Sequence, residues 1–290
     1  FFIGNGMSFT HQYRFAAAES VEKSFIPKAL SIIMLASIFS ALLGPNIANF
    51  NKDLINGHLY VGSYLSLAVL TSIPIIFLSF YSPKTEPVDV KEYKGRSYFE
   101  LILQPKFLQA VASAAFAYAV MSFLMTATPI NMHVMEHYSL NKTGIVIQLH
   151  IVSMFLPSLI TGNLIKKFGH SKIIYAGVAL YILTILLSFL EPSFFNYILA
   201  LVFLGLGWNF LYLSGTGLLV LSYREEEKYK AQGFNDVLVF SIQALASLSA
   251  GYMLNITSWK AMNLITIPFL VLIIFSSIRA DLSKDGKLKN

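Results

Sequence analysis

No cysteine occurs in the 290 residues, which excludes a disulfide framework, thiolate metal sites and cysteine nucleophiles. Charge is scarce too: Asp, Glu, Lys and Arg make up 12% of the chain, where an ordinary soluble domain carries about 25%. The sequence shows no HExxH metal motif and no Ser, His and Asp set placed for hydrolysis, so a membrane-embedded enzyme has no visible chemistry. It shows no selectivity filter or charged ring of a channel. Nor does it show the charged n-region, short apolar stretch and small-residue cleavage site of a secretory signal. No cofactor or metal is expected.

What is present is apolar. Hydrophobic residues make up 56% of the chain and gather into blocks near the roughly 20 residues that a helix needs to cross a bilayer. Hydropathy predicts nine spans: Phe1 to Ala18, Ala29 to Phe50, Leu59 to Tyr81, Phe107 to Ile130, Gly144 to Ile165, Ile173 to Leu190, Phe195 to Leu221, Phe234 to Leu254 and Ala261 to Ile278. They must be helices, because backbone groups in hydrocarbon find no water to bond. The expected class is therefore an all-α integral membrane protein with a lipid bilayer as its partner.

The net charge of +6 does not point to nucleic acid, since the basic residues sit in short gaps between spans rather than along one face. Those gaps alternate. One side receives Arg14, Lys23 and Lys28; Lys84, Lys91, Lys94, Arg96 and Lys106; Lys166, Lys167 and Lys172; Arg224, Lys228 and Lys230; and Arg279, Lys284, Lys287 and Lys289. The other receives only Lys52, Lys142 and Lys260. By the positive-inside rule the first side is cytoplasmic, and with it the C-terminus. The membrane expected is the cell (plasma or inner) membrane.

One gap differs from the rest. Residues 82–106 hold Pro83, Pro87, four acidic and five basic residues, and read as a cytoplasmic linker between two helical bundles. Within it Tyr98, Phe99, Leu101, Ile102 and Leu103 suit a short interfacial helix. The expected organisation is a remnant bundle of three spans at 1–81, the linker, a six-helix bundle at 107–280 and a cytoplasmic tail at 281–290.

Six helices after a long basic loop resemble the second half of a major facilitator superfamily transporter, whose twelve helices form two six-helix domains. The resemblance covers essentially the whole chain, as helices four to twelve. Three further spans and a Gly-x-x-x-Asp-Arg-x-Gly loop are expected upstream, and the chain by itself is not expected to transport. Gly162, Leu164, Lys167 and Gly169 in TGNLIKKFGHSK resemble the family's gating loop, with Lys166 where the family has Asp. Gly44 and Pro45 in SALLGPNIANF resemble the Gly-Pro pair of its antiporter motif, with Ser31, Ser40, Ala48 and Asn49 at the other glycine positions. A weaker echo joins Glu22 to Ala29 (EKSFIPKA) with Glu227 to Gln232 (EKYKAQ), each an acidic and basic loop before a helix rich in small residues.

The resemblance implies a monomeric secondary active transporter that carries a small organic solute by alternating access, coupled to an ion such as the proton, with drug or metabolite efflux as one form. A non-transporting membrane sensor or a membrane-embedded enzyme is the alternative. The solute would be lined by the first, fourth and seventh observed spans. Those spans do carry polar and aromatic faces at three- and four-residue spacing: Asn5, Ser8 and Gln12; Tyr118, Ser122 and Thr126; and Asn209, Tyr212 and Thr216 beside Trp208. The bland alternative is that such residues join helices together.

Ionisable groups inside spans cost about 2.5–3.5 kcal/mol on insertion scales and are functional candidates by default. Arg14 and Asp236 fall at similar depth near the cytoplasmic edge and suit one gate; the competing reading has Arg14 snorkelling and Asp236 favouring the positive end of its helix. His11 and His150 are the other groups at membrane depth able to titrate near neutral pH. Glu19 is expected to be a solvated charge at a loop edge. Topology is directly measurable: reporter fusions placed after Tyr81 and beside Gly169 are expected on the same side, and opposite sides would refute the nine-span threading.

Overall fold

The computed structural model describes residues 2–58, 60–80 and 95–283, with the backbone alone for 2–8, 41, 42, 45, 46, 48 and 49. Most of the expected linker, the end of the expected tail, and the side chains of Asn5 and Pro45 therefore lie outside the described residues. Among the described residues all regular structure is helical. The α-helices are α1 (Phe2–Glu19), α2 (Ile26–Asn51), α3 (Val61–Leu78), α4 (Tyr98–Leu103), α5 (Pro105–Ile130), α6 (Leu140–Phe155), α7 (Ser158–Phe168), α8 (His170–Leu187), α9 (Phe194–Ser222), α10 (Lys228–Ile256), α11 (Trp259–Ile265) and α12 (Ile267–Leu282).

Among the described residues each expected span lies in helix, two of them broken: Gly144 to Ile165 at Pro157 and Ala261 to Ile278 at Thr266. Eight stretches are long and apolar enough to cross a bilayer, counting α6 with α7 and α11 with α12 as one stretch each. The remaining span, α1, falls outside that set because Thr10, His11, Gln12 and Arg14 interrupt its apolar run.

Local chemistry explains where these helices start and break. Ser97, Ser139, Ser193 and Ser258 each accept a hydrogen bond from the backbone N–H three residues on, which satisfies a donor that has no partner in the first turn. At α4 the cap is reciprocal, the Ser97 N–H donating to Glu100 Oε2 at 2.6 Å. These bonds hold the Glu100 carboxyl below its ordinary pKa, the backbone bond most of all. Pro157 separates α6 from α7, and Pro268 sits in the first turn of α12, directly after the α11 break. Gly169 has φ +85° and turns the chain between α7 and α8, a backbone region that penalises any side chain.

Helices α5 and α9 form the centre. Helix α9 packs against α5, α6 and α8, and α5 also against α10 and α12. Small residues allow the closest contacts: Gly177 of α8 meets Gly207 of α9, and Gly215 of α9 faces the backbone of Ala110 and Ala114. The polar face of α10 lies on α5, where Thr126 and Ser247 share a hydrogen bond of 3.0 Å. Helix α2 packs on α7 and is flanked by α1 and α3. The outside is apolar, with Phe77, Phe80, Val237 and Leu248 among its exposed residues, while Gln109, Ser113, Thr161 and Asn209 are buried. That inversion suits a surface wetted by lipid rather than water.

Gly205 offers a direct test of the packing. A Cβ there would lie 2.0 Å from Ser153 Oγ and 2.7 Å from the His150 carbonyl oxygen, whereas one on Gly233 meets nothing within 4 Å. Gly205→Val is expected to destabilise the protein by about 1–3 kcal/mol, read as a lower melting temperature in detergent. Gly233→Ala is expected to melt at or above the wild-type temperature.

Candidate functional site

Helices α1, α9 and α10 meet at Arg14. Its Nη2 donates to Asp236 Oδ1 and its Nη1 to the Tyr212 hydroxyl, and both members of the ion pair are largely buried. Asp236 takes further bonds from Gln12 Nε2 at 3.1 Å and Asn235 Nδ2 at 3.0 Å, so three side chains, Arg14 among them, donate to its carboxylate. The guanidinium also lies 4.5 Å from the centre of the Phe15 ring and 5.3 Å from that of Tyr212. A buried charge needs this much company, because removing one partner of such a pair costs about 3–5 kcal/mol.

Aromatic rings surround the pair. Trp208 and Tyr212 stack at 4.9 Å with 14° between their planes. Tyr118 of α5 meets both edge-on, at 5.1 and 4.9 Å, and Phe155 of α6 meets Trp208 at 5.7 Å. Among the described residues Trp208 Nε1 and Arg14 Nε are buried and find no hydrogen-bond partner. Next to the pair opens a cavity of about 440 Å³ lined by Gln12, Asp236, Val237, Phe240, Ser241 and Ala244. The His11 ring lies against Phe240 at 4.4 Å. Of the rings in this region Phe240 is the one that lines the cavity, whose polar border is made by Gln12, Asp236 and Ser241.

The structure brings Gln12, Arg14, Tyr118, Trp208, Tyr212 and Asp236 together. It places the remaining candidates elsewhere. Ser122 is buried within α5, Thr126 bonds to α10, and Thr216 is buried on α9 one turn beyond Tyr212. Asn209 turns to the break between α6 and α7. His150 shares a hydrogen bond of 2.8 Å with the Leu201 carbonyl and belongs to the α6–α9 contact. A Cβ on Gly44 would meet nothing within 4 Å among the described residues, Gly162 lies against α2, and Gly169 makes the turn before α8.

A second polar cluster escaped the reading from sequence. Glu19, expected as a solvated charge at a loop edge, is exposed there, and it also accepts from Gln232 Nε2 at 2.6 Å and the Tyr223 hydroxyl at 3.3 Å and lies 3.6 Å from Lys228 Nζ. These contacts tie the end of α1 to α10 and the end of α9, and the partners come from about 200 residues further along the chain. Beside them the buried Glu227 side chain accepts two bonds from the Arg96 guanidinium, at 2.8 and 2.6 Å, plus the Arg96 and Arg224 backbone N–H groups at 2.9 and 3.0 Å. The bonds to Glu227 raise the pKa of Arg96 above its ordinary value. The signal available in sequence was the EKSF and EKYK echo: each stretch adjoins a 3-10 turn, Lys23–Phe25 and Glu225–Glu227, that leads directly into a long helix.

Comparison with known proteins agrees with this architecture. A sequence model of the Major Facilitator Superfamily matches residues 110–289. The chain is similar to the riboflavin transporter RfnT of Brucella anthropi, 33% identical over 271 residues that cover 92% of this chain and 67% of that protein. It is also similar to the uncharacterized MFS-type transporter YddS of Bacillus subtilis, 28% identical over 278 residues, covering 90% and 64%. In fold it resembles a bacterial homologue of the iron transporter ferroportin, crystallised in an outward-facing state, with a TM-score of 0.64 at 13% identity over 91% of this chain and 65% of that one. The chain thus spans about two thirds of the length of the proteins it matches.

The ion pair can be tested by exchange. Arg14→Ala or Asp236→Ala leaves a buried charge alone and is expected to cost about 3–5 kcal/mol, seen as a large fall in detergent melting temperature. The double variant Arg14→Asp with Asp236→Arg is expected to recover much of that loss; a double variant no more stable than either Arg14→Asp or Asp236→Arg alone would rule out a pairwise interaction.

Proposed function

The chain belongs to the major facilitator superfamily, and from that premise we propose that the protein carrying it is a secondary active transporter that moves a flat, polar-edged organic solute by alternating access. The observation that carries this reading is the Arg14–Asp236 pair, enclosed by Tyr118, Trp208 and Tyr212 and bordering the cavity. Aromatic faces recognise a planar ring system, and the cavity's own lining offers the Phe240 ring together with polar atoms of Gln12, Asp236 and Ser241. Because RfnT is a riboflavin transporter, riboflavin is the first solute to test.

Coupling follows from the same pair. A proton taken up by Asp236 would cancel its charge, weaken its hold on Arg14 and free the guanidinium for the solute, so ion and solute act on one contact. The cluster of Glu19, Tyr223, Lys228 and Gln232 joins α1 to α9 and α10 at the basic end of the bundle and serves as the gate on that side, which faces the cytoplasm of a cell membrane by the positive-inside rule. The protein acts as a monomer in this reading.

The test is flux of labelled riboflavin in proteoliposomes holding the full protein. Saturable flux that stops when a protonophore collapses the pH gradient is expected. Trp208→Ala is expected to raise KM about 3- to 10-fold, the loss of aromatic contacts worth about 0.5–1.5 kcal/mol. A well-folded protein that shows no saturable flux of riboflavin or other flat aromatic solutes would refute this solute class.

A further inference from the structure

The break between α6 and α7 sets up a contact that the transport reading leaves unused. Pro157 has no N–H, so the carbonyl one turn before it has no intrahelical donor, and the Leu159 N–H turns instead to the Leu156 carbonyl at 3.1 Å. The Met154 carbonyl beside the break is satisfied from another helix: Asn209 Nδ2 of α9 donates to it at 2.7 Å. The second hydrogen of that amide goes to Ser158 Oγ at 2.7 Å, and its oxygen lies 2.7 Å from Thr161 Oγ1, whose single hydrogen is shared between it and the Pro157 carbonyl at 2.8 Å. A carbonyl only accepts, so the Met154 contact settles which way the amide faces. Asn209 is wholly buried, and its three bonds reach residues on both sides of the break.

Each side of this clamp connects to something else. On α9 the adjacent residue is Trp208, and Tyr212 follows three positions on, where it meets Arg14. On α7 the residue after Thr161 is Gly162, where the helix lies against α2. A Cβ on Gly162 would sit 2.5 Å from Ser31 Oγ and 2.8 Å from the Pro27 carbonyl oxygen. One turn further, Lys166 Nζ stands 4.9 Å from the centre of the Phe25 ring. A break held by side-chain bonds, rather than by its own helical ladder, bends as those bonds shift.

We propose that Asn209 is a positioning residue that sets the angle between α6 and α7, so that a shift of α9 at the Trp208–Tyr212–Arg14 cluster is passed to the α2–α7 contact at Gly162. This rests on the transport reading only where turnover is measured. The clamp itself is read without any solute.

The experiment places Phe25→Cys and Lys166→Cys in the full protein, to which this chain contributes no native cysteine, and follows the rate of oxidative cross-linking. Thr161→Val and Asn209→Leu are expected to change that rate at least about threefold, each removing a buried hydrogen bond, while Thr161→Ser keeps the hydroxyl and matches wild type. In transport assays the same two variants are expected to lower the maximal rate by a similar factor with KM within about twofold. Pro157→Ala restores the missing N–H, and in that background Thr161→Val is expected to have little further effect.

Wild-type cross-linking in a folded Thr161→Val protein would overturn the proposal, and so would independent, additive effects of Pro157→Ala and Thr161→Val. A raised KM at unchanged maximal rate in Asn209→Leu would overturn it too, making Asn209 a solute contact. Should Asn209→Leu fail to fold, the Thr161 series decides the question. Should no solute be transported, cross-linking still decides it, and only the transport reading falls.

Discussion

A guanidinium inside a bundle with an apolar exterior has to find its counter-charge within the protein, and much of the arrangement around Arg14 follows from that need. Asp236 supplies the charge, Tyr212 supplies an acceptor, and Phe15 covers one face. To satisfy all of these, α1 must dock where α9 and α10 converge. The docking brings Gln12 to the edge of the cavity and places the aromatic cluster against the pair. Water would make such a pair nearly worthless, since exposed ion pairs contribute about 0–1 kcal/mol. In a dry interior, losing one partner costs several times more.

The same scarcity of water explains the placing of polar side chains elsewhere. In lipid there is no hydrophobic drive between helices, so close packing of small residues and hydrogen bonds between helices hold the bundle. Gly177, Gly205 and Gly215 bring α9 against three neighbours at backbone distance. Ser113 donates to the Leu211 carbonyl and Tyr181 to the Ala117 carbonyl, tying α5 to α9 and to α8. Proline is tolerated at the α6–α7 break because Asn209 takes over part of the lost bonding.

At the basic end the chemistry changes, because exposed side chains such as Glu19 and Glu225 meet buried ones such as Lys228 and Gln232. Glu227, also buried, gathers Arg96 from before α4 and the backbone of Arg224, fastening the segment at 95–97 to the turn that leads into α10. Arg96 in turn reaches Gln104 at 2.7 Å, and Lys230 donates to the Arg96 carbonyl at 2.6 Å. Next to it Glu19 carries α1 into the same region. The two clusters, one at Arg14 and one at Glu19, lie about one turn apart along α1, so any movement of that helix acts on both.

Hydropathy and the distribution of basic residues were enough to place the helices, because a helix must hide its backbone over a fixed thickness of lipid and the requirement is local to each span. The short helix at Tyr98 and the turn at Gly169 were legible for the same reason: a cap and a positive φ depend on near neighbours. Depth along two spans was enough to set Arg14 and Asp236 level with each other. Tertiary structure alone decided which faces met. Asn209 carries the same side chain whether it lines a cavity or clamps a break, and Glu19 looks the same in sequence with or without Gln232 and Tyr223 beside it. Those outcomes depend on the rotation of one helix against another, and that rotation is set by contacts between residues about 50 to 200 positions apart, which no local pattern encodes.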